Sequence, residues 1–301
     1  MALATRLELR DHVERMSLLA EEILDATRRI VNALDPPPIT RVFVPGEDLR
    51  PDHHGSFCAV QLADGSTGLC YVLLGDTRDR LRSLDAATWV GRDALELAKA
   101  FARGDAAART VGLAAVNALT RHLFQQAGFQ PDFASSSLGS LTLGSGDRLG
   151  MVGFFPPLVR RARDEGIPVT VLELKSELVQ DAPGLTVTLD PARLAECSKI
   201  VCTSTALLND SLDALLAHGR GASEFVIIGP SAGCVPDPLF ARGVTGVGGA
   251  WIEDASTLLA RAERGERWSD ATRKFLLRRD GWPGLDDLIE RAERRTYRRT
   301  S

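Results

Sequence analysis

Residues 200–216, IVCTSTALLNDSLDALL, open as an apolar run, break into Thr203-Ser204-Thr205, and resume with apolar residues at helical spacing. A buried strand that ends in three hydroxyls at the mouth of a helix is half of a strand–helix crossover. The pattern recurs on both sides. RLGMVGF (148–154) predicts a strand, PPLVRRARDEG (156–166) a helix and PVTVLEL (168–174) a strand. SKIVCTS (198–204), TALLNDSLDALLAHG (205–219) and EFVIIGPS (224–231) repeat the series, and PDPLFARG (236–243) and VTGVGG (244–249) add a short helix and a short strand. Such alternation implies parallel strands with helices on both faces, a Rossmann-like doubly wound sheet in an α/β protein.

The first half reads differently. Leu9, Val13, Met16, Leu19, Ile23, Ile30 and Leu34 fall at helical spacing, so a long amphipathic helix spans 7–34 until DPPPIT (35–40) ends it. Three β-type runs follow, RVFVPG, SFCAVQL and TGLCYVLL, the last two joined by ADGS with Asp64-Gly65 at a hairpin tip. Helical patterns over 92–103 and 105–127 complete a small α+β unit. The Ser/Gly-rich ASSSLGSLTLGSGD (134–147) reads as a linker, which places domains at 1–140 and 141–301. Past 250, helical segments are expected near 254–263, 268–279 and 284–297.

A net charge of −4 argues against binding nucleic acid through its phosphates. No apolar run approaches the roughly 18 residues that span a bilayer. The opening MALATRLELRDHVERM lacks the apolar stretch of a signal peptide, so a cytoplasmic protein without membrane partners is expected. The five cysteines (58, 70, 197, 202, 234) contain no Cys-x-x-Cys pair and are expected to be free thiols, several of them buried.

Ligands of open parallel sheets sit beyond the carboxyl ends of the strands, where strand order reverses. Four segments would meet there. In GFFPP (153–157), Gly153 follows a strand, but Phe154, Phe155 and two prolines occupy the small-residue places of a dinucleotide turn. A pyrophosphate site is therefore not expected; Phe154 and Phe155 would form a wall for a flat ligand or else cap the core. Glu173, twenty residues on, ends the next strand where an acid would meet ribose hydroxyls. One of Thr203, Ser204 and Thr205 is expected to cap the following helix, leaving the other hydroxyls and Asn209 facing the cleft. In GPSAG (229–233), Gly229 permits close approach and Ser231 offers a hydroxyl beside the backbone amides up to Gly233. Arg109 and Asn117, polar exceptions on the small-residue helix ARTVGLAAVNAL (108–119), would close the cleft from the first domain, with a core role as the alternative for Asn117.

His53-His54 beside Asp52 would supply a metal ligand or two, against the plainer reading of surface histidines. Cys234 is a cleft thiol or a small buried residue. Ser231 does not sit in the Gly-x-Ser-x-Gly elbow of hydrolases.

The stretches GLCYVLL, RTVGLAAVNAL, GMVGFFPPLV, VCTSTALLNDSLDALL, VIIGPSAGCVPDPLF and RGVTGVGG resemble the "putative heavy-metal chelation" family. That resemblance implies a small enolase-N-terminal-like domain followed by a Rossmann-like domain, over most of residues 40–255. Where the family implies a TGS-like turn, this chain reads Thr203-Ser204-Thr205, which adds a side chain at a point of backbone approach. The expected function is binding of a small polar or metal-chelating metabolite in the interdomain cleft, with or without a divalent metal. The rival is a transferase or lyase with an adenosine-type cofactor such as S-adenosylmethionine, held by Glu173. A third is a homodimer formed through the 108–119 helix or the basic tail.

Overall fold

The computed structural model describes residues 2–46, 57–72, 74–133 and 141–300, with side chains described from 18 to 298. The chain opens with helix α1 (Ala2–Leu34) and an antiparallel meander of β1 (Ile39–Phe43), β2 (Phe57–Leu62) and β3 (Thr67–Tyr71). Short helices α2 (Thr77–Arg82), α3 (Ala94–Ala98) and α4 (Ala100–Arg103) lead into α5 (Ala106–Ala127). The second sheet is built from β4 (Leu149–Val152), β5 (Val169–Leu172), β6 (Gln180–Ala182), β7 (Leu185–Thr188), β8 (Lys199–Thr203), β9 (Glu224–Ile228), β10 (Gly246–Ile252) and β11 (Thr272–Arg278). Between and after them run α6 (Pro156–Asp164), α7 (Leu212–His218), α8 (Asp237–Ala241), α9 (Ala255–Glu263) and α10 (Leu285–Thr300).

The large sheet has the order β11-β10-β9-β8-β4-β5-β7-β6, with antiparallel strands at both edges. Its six inner strands are parallel. The chain starts at β4, builds outward through β5 and β7, then returns to lay β8, β9 and β10 on the other side. This is the doubly wound Rossmann order, and its switch point lies between β4 and β8. The fold class is therefore the α/β arrangement read from the sequence, a small α+β unit followed by a Rossmann-like sheet.

Alternation along the inner strands sorts the core into two faces. Val201 and Val226 join Met151, Leu158 and Val171 on the α6 side. Ile200, Cys202, Phe225 and Ile227 join a larger core with Leu19, Ile23, Val60, Leu113 and Leu119 from the first half. The meander and its helices thus lie on one face of the Rossmann sheet and share its core. α10 crosses back to pack on α5 and α1, and Asp237 at the start of α8 fixes its entry by accepting from Trp282 Nε1 at 2.9 Å and the Leu285 amide at 3.0 Å. Arg242 ties α1 to the second half through Glu22, Asp213 and the Pro238 carbonyl.

Three expectations change. Residues 272–278 form strand β11 rather than helix, because their Phe275-Leu276-Leu277 core pairs with the Gly-rich β10. The β6–β7 hairpin was not read at all. The helix expected over 205–219 is broken: Ser204–Leu207 form a 3-10 turn and α7 begins only at Leu212. Asp210 causes the break. It sits in the left-handed region (φ 54°), which an α-helix cannot accommodate.

α5 is the hub. Asp105 caps it by accepting from the Ala108 amide at 2.9 Å, and Gly128 ends it in the left-handed conformation. Its small residues let β3 approach closely: a Cβ at Gly68 would lie 2.2 Å from the Ala114 carbonyl oxygen. Residues 110–119 are buried inside the chain, so the face expected to pair copies is occupied internally. At the β2–β3 tip, Asp64 accepts from the Ser66 amide and hydroxyl and lies 2.6 Å from His122 Nδ1. Burial pushes the Asp64 carboxyl up, but these hydrogen bonds outweigh it and hold the group below its ordinary value.

Two outcomes follow. Gly68→Ala should destabilise the protein by about 3 kcal/mol in urea unfolding, since the backbone of α5 cannot yield. Asp64→Asn should cost about 2 kcal/mol at neutral pH. A depressed folded-state pKa stabilises above the unfolded value and loses that contribution on acidification. The gap between the two proteins should therefore hold steady above pH 3.8 and close below it.

Candidate functional site

At the switch point a cleft of about 500 Å³ opens between the carboxyl ends of β4, β5, β8 and β9 and the end of β3. Phe57, Tyr71 and Leu74 line it from the first half. Gly153, Phe155, Glu173, Lys175, Thr203, Thr205, Asn209 and Ser211 line it from the second, with Ser204, Gly229 and Ser231 at the back. The structure brings nine of the thirteen residues singled out in the sequence to this cleft; Phe154, Gly233, Arg109 and Asn117 lie outside its lining.

Several of these side chains are committed to the chain itself. Glu173 accepts from the Phe154 amide at 3.1 Å and the Leu174 amide at 2.9 Å. A carboxylate thus occupies the turn amide that a dinucleotide site would offer to phosphate. The ribose-anchoring role expected of Glu173 is corrected accordingly: it secures the turn after β4, with its remaining lone pairs facing the cleft. Both rings pack against the α6-side core, but of the two only Phe155 lines the cleft, while Phe154 contributes that amide. Gly153 turns the chain at φ 84°, where a side chain would be strained.

Thr203 is the capping hydroxyl, accepting from the Thr205 amide at 3.3 Å and the Thr205 hydroxyl at 3.1 Å. Ser204 is buried against Gly229, where a Cβ would meet its Oγ at 2.2 Å. The close approach that Gly229 permits is therefore that of Ser204, not of a ligand. Asn209 is exposed, off the helix, with its Oδ1 accepting from Ser211. Its Nδ2 is left to point at solvent or ligand.

Ser231, Asn117 and Gly233 form a clamp. Asn117 Nδ2 donates to the carbonyls of Leu69 and Ser231, both at 2.9 Å. Ser231 Oγ, fully buried, accepts from the Tyr71 amide at 2.9 Å. Gly233 lies against Asn117, where a Cβ would approach Cγ to 2.9 Å. The ligand-binding roles expected of Asn117, Ser231 and Gly233 are corrected to this one, because their polar groups are spent joining the halves. Arg109 also crosses between the halves, but to pair with Asp210 at 2.5 Å, both largely buried. It secures the strained loop that carries Asn209.

Tyr71 was missed in the sequence, although it stands alone at the end of the GLCYVLL strand. Its ring packs edge-on to Phe57. Burial raises its pKa, and the nearby Glu173 charge raises it further, so the phenol remains protonated and able to donate.

Donors for a metal are sparse. Among the described residues, no three His, Cys, Asp or Glu side chains gather as a ligand set. All five cysteines are free and buried. Burial pushes the Cys58 and Cys234 thiols up to about 12 and raises those of Cys70, Cys197 and Cys202. Thiols in that state are poor ligands, since thiolate is the coordinating form. His53, His54 and Asp52 lie outside the described residues. The residues described do not fit a directly coordinated heavy metal. No helix among the described residues is long and apolar enough to cross a membrane.

If Ser231 is a clamp, Ser231→Ala should lower unfolding stability by about 2 kcal/mol in the absence of any ligand, because the buried Tyr71 amide loses its acceptor. A hydroxyl reserved for a ligand would leave that stability unchanged.

Comparison with known proteins agrees with this architecture. The chain is 28% identical over 158 residues to an uncharacterised protein of Methanocaldococcus jannaschii, covering 52% of this chain and 59% of that relative. The matched part is thus about three fifths of the relative's length. A Pyrococcus horikoshii protein of unknown function superposes with a TM-score of 0.64 at 18% identity, over 88% of this chain and 99% of the other. One from Desulfitobacterium hafniense, also of unknown function, gives 0.62 at 19% identity, over 86% and 99%. Both likenesses are of fold. Residues 55–120 and 137–279 match two domain models that carry the same description, and by these the chain belongs to the "Putative heavy-metal chelation" family.

Proposed function

We propose that the cleft holds a small polar metabolite, neutral or zwitterionic, and that a heavy metal reaches this chain already complexed by that metabolite. The observation that carries this reading is the pairing of Tyr71 and Glu173 across one cleft of ligand size. A phenol donor, a carboxylate acceptor, the exposed Asn209 amide and Lys175 present both signs of charge and both senses of hydrogen bond. Apolar walls from Phe57, Phe155 and Leu172 would cover the body of the ligand. A phosphate ester would face the Glu173 carboxylate with no arginine among the described lining residues to offset it. The family description supports a link to metals, while the scarcity of ligands among the described residues favours a metal held by the small molecule's own donors.

Thermal unfolding tests this with nickel(II) alone, L-histidine alone, citrate alone, and the nickel complexes of the two chelators. The complex of zwitterionic L-histidine should raise the midpoint, with a stabilisation of about 2.7 kcal/mol at 100 times its dissociation constant, and the anionic citrate complex should not. Tyr71→Phe and Thr203→Val should reduce that response at least tenfold in affinity, by removing a donor and by loosening the turn. Stoichiometric binding of free nickel(II), or a response untouched by both substitutions, contradicts the reading. S-adenosylmethionine should give no shift.

A further inference from the structure

A second cavity lies behind the Pro230–Gly233 loop, between β3, α5 and the end of β10. It is small, about 20 Å³, and lined by Thr67, Gly68, Asn117, Arg121, Trp251 and Phe275 among others. The enclosed part has room for about one or two waters, and the cavity opens to solvent beyond it.

Two of its groups have hydrogen-bonding atoms that no described residue engages. The Arg121 guanidinium stacks on the Trp251 ring, 3.7 Å from the centroid, and makes no hydrogen bond or ion pair with any described residue. Stacking occupies its face and leaves its planar edge of N–H donors free, the arrangement that takes two oxygens of a planar anion at once. Trp251 is itself held in a stack with Phe124, at 6.2 Å between centroids. The second group is Asn117 Oδ1, buried and without a hydrogen-bond partner. The clamp fixes its orientation, because Nδ2 must face the Leu69 and Ser231 carbonyls. Asp64 is the carboxylate whose charge Arg121 feels, but it is engaged by His122 and Ser66. A buried acceptor without a donor is costly to leave unmet, and the half-buried guanidinium has near it only a carboxylate already engaged elsewhere.

We propose that this cavity is a site for a small planar oxyanion that also carries a hydroxyl, of which bicarbonate is the chemical pattern. Two of its oxygens lie on the Arg121 edge and its O–H donates to Asn117 Oδ1. Planar anions without a donor meet only the first requirement, and tetrahedral phosphate is bulkier than the planar ions and does not share their flat shape. The site is separate from the large cleft and does not depend on what that cleft binds.

The full chain, in carbonate-free buffer at constant ionic strength and pH 8, is titrated with sodium bicarbonate, nitrate or phosphate. Tryptophan fluorescence and the thermal midpoint are followed. Bicarbonate should give a saturable response, nitrate one about tenfold weaker, the loss of one hydrogen bond, and phosphate none. Arg121→Gln should abolish saturation. Ala250→Leu, which fills the cavity and leaves the guanidinium in place, should abolish it too and covers the case in which the arginine variant does not fold. Equal, unsaturable responses to all three salts would mean that the cavity holds water only and would overturn the proposal. Saturation that persists in either folded variant would overturn it as well.

Discussion

One carboxamide holds the two halves of this protein in register. Asn117, midway along α5, donates from a single nitrogen to a carbonyl of the meander and to a carbonyl of the loop after β9. Ser231 reciprocates by accepting the Tyr71 amide from the meander. Each bond is worth only about 1 kcal/mol net, but breaking one strands a buried polar group at greater cost. The clamp closes because small residues flank it. Gly68 lets β3 lie directly on α5, and Gly233 lets the loop pass over Asn117.

From that contact the cleft follows. Once the end of β3 is pinned to the loop after β9, Tyr71 is carried to the switch point of the Rossmann sheet, where Glu173 ends β5. The sheet alone would offer only its own strand ends. The meander adds the aromatic wall and the one phenol. Arg109 repeats the device on the opposite flank, reaching from the first turn of α5 to Asp210 and steadying that left-handed residue. The polar groups around the cleft thus divide into two sets. Asn117, Ser231, Ser204 and Arg109 assemble the walls, whereas Tyr71, Glu173, Asn209 and Lys175 face the space between them.

Strand–helix alternation and apolar runs were enough to place five of the six parallel strands, all but β7, because burial on both faces leaves a continuous hydrophobic signature. The edges were not legible. β11 carries charges on either side of three apolar residues, a pattern that also suits a short amphipathic helix, and only its pairing with β10 decides between them. β10, read as a short strand over 244–249, runs on to Ile252, and the space beside its Gly249 is filled by Phe275 from the neighbour, a fact with no local trace. The clamp was invisible because hydroxyls and amides read alike whether they meet a ligand or a distant backbone. Tyr71 carries no signal of its own, because it ends a strand outside the Rossmann half and reaches the cleft only through the clamp. Asp210 was hidden by apolar residues that keep helical spacing across the break.

Amide hydrogen exchange at Tyr71 tests the clamp most directly. On this account the Tyr71 amide exchanges only through global unfolding, and Asn117→Ala speeds its exchange together with that of residues 229–234 while the amides of β4 and β5 keep their protection. A Tyr71 amide that exchanges as fast as an open loop in the unaltered protein, or one indifferent to the loss of Asn117, would contradict it.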